Sequence, residues 1–197
     1  QPLNANRKAY AAWWLWARLA GWNPGGGPGA QIISIWDSGI WYWDVAALEW
    51  TKMSASAPNG DIAAGDFTGD GRADVASCWS SGLWFQDGAT LYWTKVSSEA
   101  PAKLTAGDVT GDGRAEIIGT WGSGIWYWDM AGSEWTKMSS SAPTGDIAAG
   151  DFTGDGRADV ASCWSNGLWF QDGAALDWTK VSSGAPTKLT AGDVTGD

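Results

Sequence analysis

Nine residues recur almost unchanged along this chain. The stretch Asp66-Phe67-Thr68-Gly69-Asp70-Gly71-Arg72-Ala73-Asp74 returns at 108–116 and 151–159, and a fourth copy opens at Asp193 and runs to Asp197. The copies start at 66, 108, 151 and 193, a spacing of 42 or 43 residues. A longer period of 85 lies above it: residues 35–112 align without gaps to 120–197 and differ at 12 of 78 positions. Repeats of this length are stacked supersecondary units, none of which buries its own faces alone. Identity this high points to recent duplication or to deliberate design, and the sequence leaves both open.

Each period reads as four short strands. In the repeat around the first loop they are Ile62–Gly65, Val75–Trp79, Leu83–Gln86 and Leu91–Val96, separated by the loop, Ser80-Ser81-Gly82 and Asp87-Gly88. The separators are turn chemistry, and no repeat holds a useful helical period. Four strands in just over 40 residues predict an all-β fold, a β-propeller of four-stranded blades. Leu189–Asp197 offers a first strand and half a loop, and Ala30–Trp36 matches Ala115–Trp121, which comes next in a complete repeat. The two segments therefore predict one blade split between them, beside three intact blades. Three arrangements stay open: a four-bladed ring within one chain, an eight-bladed homo-oligomer of two chains, or a piece of a longer array.

The expected organisation is an N-terminal segment, 1–30, and a repeat domain, 31–197. The first segment is basic and Trp-rich and ends in Asn23-Pro-Gly-Gly-Gly-Pro-Gly29. A short helix over Asn4–Trp22 is expected, acting as an interfacial helix, a cap for the array or an appended segment. Its apolar stretch Ala9–Leu19 is too short to span a bilayer, so no transmembrane segment is expected. Gln1 in place of an initiator Met, without a clear cleavage site, is expected of a processed or excised chain rather than of one with a signal peptide. A net charge of −10 argues against a nucleic-acid partner, which needs a basic footprint. Cys78 and Cys163 stand 85 residues apart in alternate blades and are expected as buried free thiols; with no His in the chain, no zinc site is expected.

The acids of the nine-residue loop fall at positions one, five and nine, with Thr at three and Gly at six. Carboxylates held that close repel one another unless a cation lies between them. Calcium accepts six to eight oxygens in flexible geometry, whereas magnesium demands a tight octahedron, so the expected cofactor is Ca2+. The predicted ligands are Asp66, Thr68, Asp70 and Asp74, with Arg72 through its backbone carbonyl; Asp108, Thr110, Asp112, Arg114 and Glu116; Asp151, Thr153, Asp155, Arg157 and Asp159; and Asp193, Thr195 and Asp197. If Ala30–Trp36 completes the fourth loop, Gln31 takes position nine and that site is weak or empty. The expected role of the metal is to brace the blades. Extracellular modules bind calcium at about 10⁻⁴–10⁻³ M, which places the expected location outside the cell, at its surface or in the periplasm.

These loops resemble the FG-GAP and VCBS-type repeats of integrin α-chain propellers and of fungal propeller lectins, over residues 31–197. In those families an Asp-x-Asp/Asn-x-Asp-Gly-x-x-Asp loop between the first two strands of a blade binds calcium. Thr at position three departs from the usual acid or amide. The resemblance implies recognition of carbohydrate or of a protein partner on a blade face or between blades.

Eighteen Trp residues recur at fixed places: Trp36, Trp79, Trp121 and Trp164; Trp41, Trp84, Trp126 and Trp169; Trp50, Trp93, Trp135 and Trp178. Repetition in every blade suits packing between blades. Trp43 and Trp128 alternate with Gln86 and Gln171, so this position is expected to be partly exposed and to contact a ligand such as a sugar. No nucleophile, phosphate loop or unrepeated acid pair points to an enzyme. A binding module is the first reading, and a repeat scaffold without its own ligand is the alternative.

Overall fold

The computed structural model describes residues 31–44 and 47–192. Every regular element among them is a strand: β1 (Ile32–Trp36), β2 (Gly39–Asp44), β3 (Glu49–Ser54), β4 (Ile62–Gly65), β5 (Asp74–Trp79), β6 (Gly82–Gln86), β7 (Trp93–Ser97), β8 (Lys103–Gly107), β9 (Glu116–Trp121), β10 (Gly124–Asp129), β11 (Glu134–Ser139), β12 (Ile147–Gly150), β13 (Asp159–Trp164), β14 (Gly167–Gln171) and β15 (Trp178–Ser182). They form one three-stranded sheet, β1-β2-β3, and three four-stranded sheets, β4–β7, β8–β11 and β12–β15, each an antiparallel meander. These are the blades read from the repeat. The expected helix over Asn4–Trp22 lies outside the described residues.

Register is set by tight turns. Trp79 pairs with Gly82 across Ser80-Ser81, a two-residue hairpin of the kind that suits strand twist. The next strand begins later than the sequence reading of Leu91–Val96: β7 starts at Trp93. Leu91 has φ 60°, as Leu48, Ser133 and Leu176 have φ between 53° and 60°. A left-handed residue belongs to the turn, and its N–H donates to the Asp87 carbonyl at 2.8 Å.

The core lies between blades rather than within them. Ile40, Met53 and Val75 join the first blade to the second. Phe67, Phe85, Leu104 and Ile117 join the second to the third, and Val109, Ile118, Ile125, Met138 and Val160 join the third to the fourth. The innermost strands β4, β8 and β12 run side by side because their inward positions are Ala and Gly. A Cβ on Gly65 would stand 2.6 Å from the Ala115 Cβ, and one on Gly107 2.6 Å from the Ala158 Cβ. Ala191 continues the series against Gly150, although Leu189–Gly192 is not a strand. Among the described residues no strand pairs with the free inner edge of β1; residues 193–197 of the segment expected to complete the split blade lie outside them.

Candidate functional site

The acidic loops connect the first two strands of the second, third and fourth blades. Each folds around its first carboxylate. Asp66 Oδ1 accepts from the N–H groups of Gly69 (2.6 Å) and Asp70 (3.0 Å), and Oδ2 from Gly71 (2.8 Å). Asp108 and Asp151 repeat this pattern on their own loops. The curl places Gly69 at φ 76° and Gly71 at φ 82°, a region that glycine enters without steric cost. Position five closes the tip: Asp70, Asp112 and Asp155 each accept the N–H of Arg72, Arg114 and Arg157 at 2.9 Å.

Position nine divides the loops. Asp74 is fully buried; its Oδ2 accepts from Phe67 and Thr68, and its Oδ1 from Gly88 at 2.8 Å. Asp159 does the same with Phe152, Thr153 and Gly173. Glu116, one methylene longer, keeps both oxygens in its own loop. Its Oε2 accepts from Val109 and Thr110, and its Oε1 from the Thr110 hydroxyl at 3.1 Å. Consequently Asp108, Asp112 and Glu116 bring one carboxylate oxygen each within 4.8 Å of one another, the one such acidic triple among the described residues. Asp193, Thr195 and Asp197 lie outside them.

The donor set fits a hard cation. A carboxylate offers about four lone-pair positions, and the N–H bonds leave Asp112 Oδ2 and part of Asp108 and Glu116 for another partner. Burial raises the pKa of Glu116 and of Asp74 against the opposing pull of their N–H donors, so a neighbouring positive charge would relieve a real desolvation cost. The Thr68 hydroxyl oxygen is buried without a hydrogen-bond partner, at the loop position read as a ligand. The arginines have a further role that the sequence reading missed. The Arg114 side chain lies across Gly69, and that of Arg157 across Gly111, while Ala115 N–H donates to the Asp66 carbonyl at 2.9 Å and Ala158 N–H to the Asp108 carbonyl. Successive loops are thereby locked to one another.

The tryptophans line a second repeated feature. Trp79 meets Trp93 edge-on with centroids 5.6 Å apart, and Trp121 meets Trp135 at 5.1 Å. Trp84 and Trp126 donate from Nε1 to Ser81 and Ser123, and Lys95 and Lys137 cover their rings. With hydroxyls from the preceding blade these rings form two equivalent clefts. One, of about 250 Å³, holds Trp79, Trp84, Trp93, Ser54 and Ser56; the other, of about 280 Å³, holds Trp121, Trp126, Trp135, Ser97 and Glu99. The sequence reading placed these rings in packing, and they serve as both packing and wall.

Gln86 and Gln171 correct an expectation. Read as rim residues, they are 2% and 1% exposed. Gln86 Nε2 donates to the Met53 and Leu91 carbonyls, and Gln171 Nε2 to those of Met138 and Leu176. They tie each blade to its predecessor and are closed to a ligand. Trp43 and Trp128 are half-buried, each against the Trp of the next strand, and lie outside both clefts.

The family profile described as the FG-GAP-like repeat matches residues 108–162, which hold the acidic triple. Comparison with curated proteins gives no match. Among solved structures, one of an Agrocybe aegerita lectin, described for its specific recognition of non-reducing terminal N-acetylglucosamine, superposes with a TM-score of 0.57 at 18% identity, over 80% of this chain and 50% of that one. At that identity the likeness is one of fold, and this chain spans about half the length of the lectin chain. Residues 108–162 thus resemble an FG-GAP-like repeat, within a chain folded as β-propeller blades.

Proposed function

We propose that this protein is a calcium-binding recognition module that takes carbohydrate in the Trp-lined clefts between its blades. The observation that carries this reading is the repetition of one cleft, with edge-to-face Trp pairs and hydroxyls at fixed places. A pyranose offers an apolar C–H face to such rings and hydroxyls to Ser and Glu, the mix of apolar walls and a few polar groups that small-ligand sites use. Repetition adds avidity. The lectin's sugar makes terminal N-acetylglucosamine the first candidate.

Asp108, Asp112 and Glu116, with Asp66, Thr68 and Asp70 in the preceding loop, are the residues proposed to hold calcium. The ion supplies positive charge that lets buried carboxylates stay ionised. The loops' own work is to hold the blades at fixed spacing, and so to fix the cleft walls. The same requirement for millimolar calcium makes an extracellular or periplasmic location part of the proposal.

A glycan array probed in calcium and again after chelation tests the reading. Binding to a defined sugar class, lost in the double variant Trp84→Ala/Trp126→Ala, is expected. Silence across the array by folded, calcium-loaded protein overturns it and leaves a scaffold or a protein-binding surface.

A further inference from the structure

The 85-residue period relates the surfaces at the two ends of the blade array to residues that pack together inside it. In the contact between the third and fourth blades, Val109 packs with Ile118, Met138 and Ala158, and Tyr127 lies against them; the Val109 side chain reaches the Gly173 position. The residues 85 positions earlier are Ile33, Met53, Ala73, Tyr42 and Gly88. These line a cavity of about 60 Å³, together with Gln31 and Arg72, the counterparts of Glu116 and Arg157. That volume is far below the roughly 300–1,000 Å³ of small-ligand pockets and is of side-chain scale. The position 85 before Val109 is Pro24, in the Gly/Pro run, whereas the position 85 after it is Val194 in Asp193-Val-Thr-Gly-Asp197, identical to Asp108-Val-Thr-Gly-Asp112.

The flanking surfaces agree. Phe67 is fully buried beside Ile117, yet their counterparts Phe152 and Ile32 are 42% and 60% exposed at opposite ends of the array. Val181, counterpart of the core-packed Val96, is exposed too. Lys103 pairs with Asp146 between the third and fourth blades at 2.6 Å; 85 residues away stand Lys188, itself 3.3 Å from Asp146 and largely exposed, at one end and Asp61 at the other. Among the described residues Leu189–Gly192 lies beside β12, with Ala191 against Gly150, and is paired with no strand.

We propose that the segment Leu189–Asp197 of a second copy of this chain adds as the inner strand beside β1 and seats Val194 in the cavity, reciprocally, closing a two-chain ring. Such a head-to-tail contact generates a ring when the rotation closes. It covers the free edge of β1 and gives eight blades, within the usual range of four to eight. The register of β8 on β9 pairs Leu104 with Gly119, which carries over to Leu189 opposite Ser34.

The test is the full chain with Ser34→Cys and Leu189→Cys, oxidised and run without reductant, alongside the unmodified chain measured by light scattering. A disulfide-linked species of two 20.8 kDa chains, and twice that chain mass in solution, are expected. Val194→Asp is expected to shift the solution mass to a single chain while leaving the β-sheet circular dichroism in place. A disulfide closed within one chain, a unit solution mass at micromolar concentration or failure of the pair to link overturns the proposal, the first by showing a four-bladed ring.

Discussion

At the scale of single residues, one position shows how far local pattern carries. A site that alternates Trp with Gln reads as a tolerant, half-open rim, and Trp43 and Trp128 are indeed half-buried. Gln86 is closed because its amide reaches 33 residues back to the Met53 carbonyl, a contact that no local pattern encodes. Gln86→Ala is therefore expected to cost about 2–4 kcal/mol, since it removes packing and leaves buried carbonyls unpaired, and to leave sugar binding per folded molecule unchanged; chemical denaturation and array signal check the two halves. Cys78 follows its sequence reading. Burial, with Asp61 nearby, raises its pKa to about 11, so the thiolate is scarce at pH 8 in a buried side chain. Neither Cys78 nor Cys163 should react with iodoacetamide in native protein, and both should react in denaturant, as mass spectrometry would read.

At the scale of elements, the strands were legible because turn residues punctuate them, and the acidic loops were legible because their spacing is fixed. The start of β7 was not, since Leu91 looks like a strand residue until its backbone is known to be left-handed. A β-branched residue fits that conformation worst, so Leu91→Val is expected to lower stability by about 1–2 kcal/mol, whereas Leu91→Asn should be near neutral. The difference between the loops also escaped the sequence. Asp and Glu look interchangeable at position nine, yet Asp74 is turned to Gly88 in its own blade, while Glu116 stays with Asp108 and Asp112. On the inner strands, Gly65 stands against Ala115 with no room for a methyl. Gly65→Ala should cost about 1–3 kcal/mol, measured as a fall in the denaturant midpoint at constant m.

At the scale of the whole molecule, the period alone announced stacked blades, and the shared cores between sheets show why a blade cannot stand by itself: its buried residues are the next blade's partners. The loops add a second set of ties, through Arg114 over Gly69 and Arg157 over Gly111, so that the proposed cation at one loop would bear on its neighbours. Calcium at about a hundred times its Kd would stabilise the folded array by about 2.7 kcal/mol for each site that binds it only when folded. The measurement that bears most directly on this account is a calorimetric calcium titration of the chelator-stripped chain beside its Glu116→Gln variant. The expected result is saturable binding in the range of about 10⁻⁴–10⁻³ M, weakened about tenfold or more at one site by the substitution. No saturable heat, with a melting temperature indifferent to millimolar calcium, would contradict it.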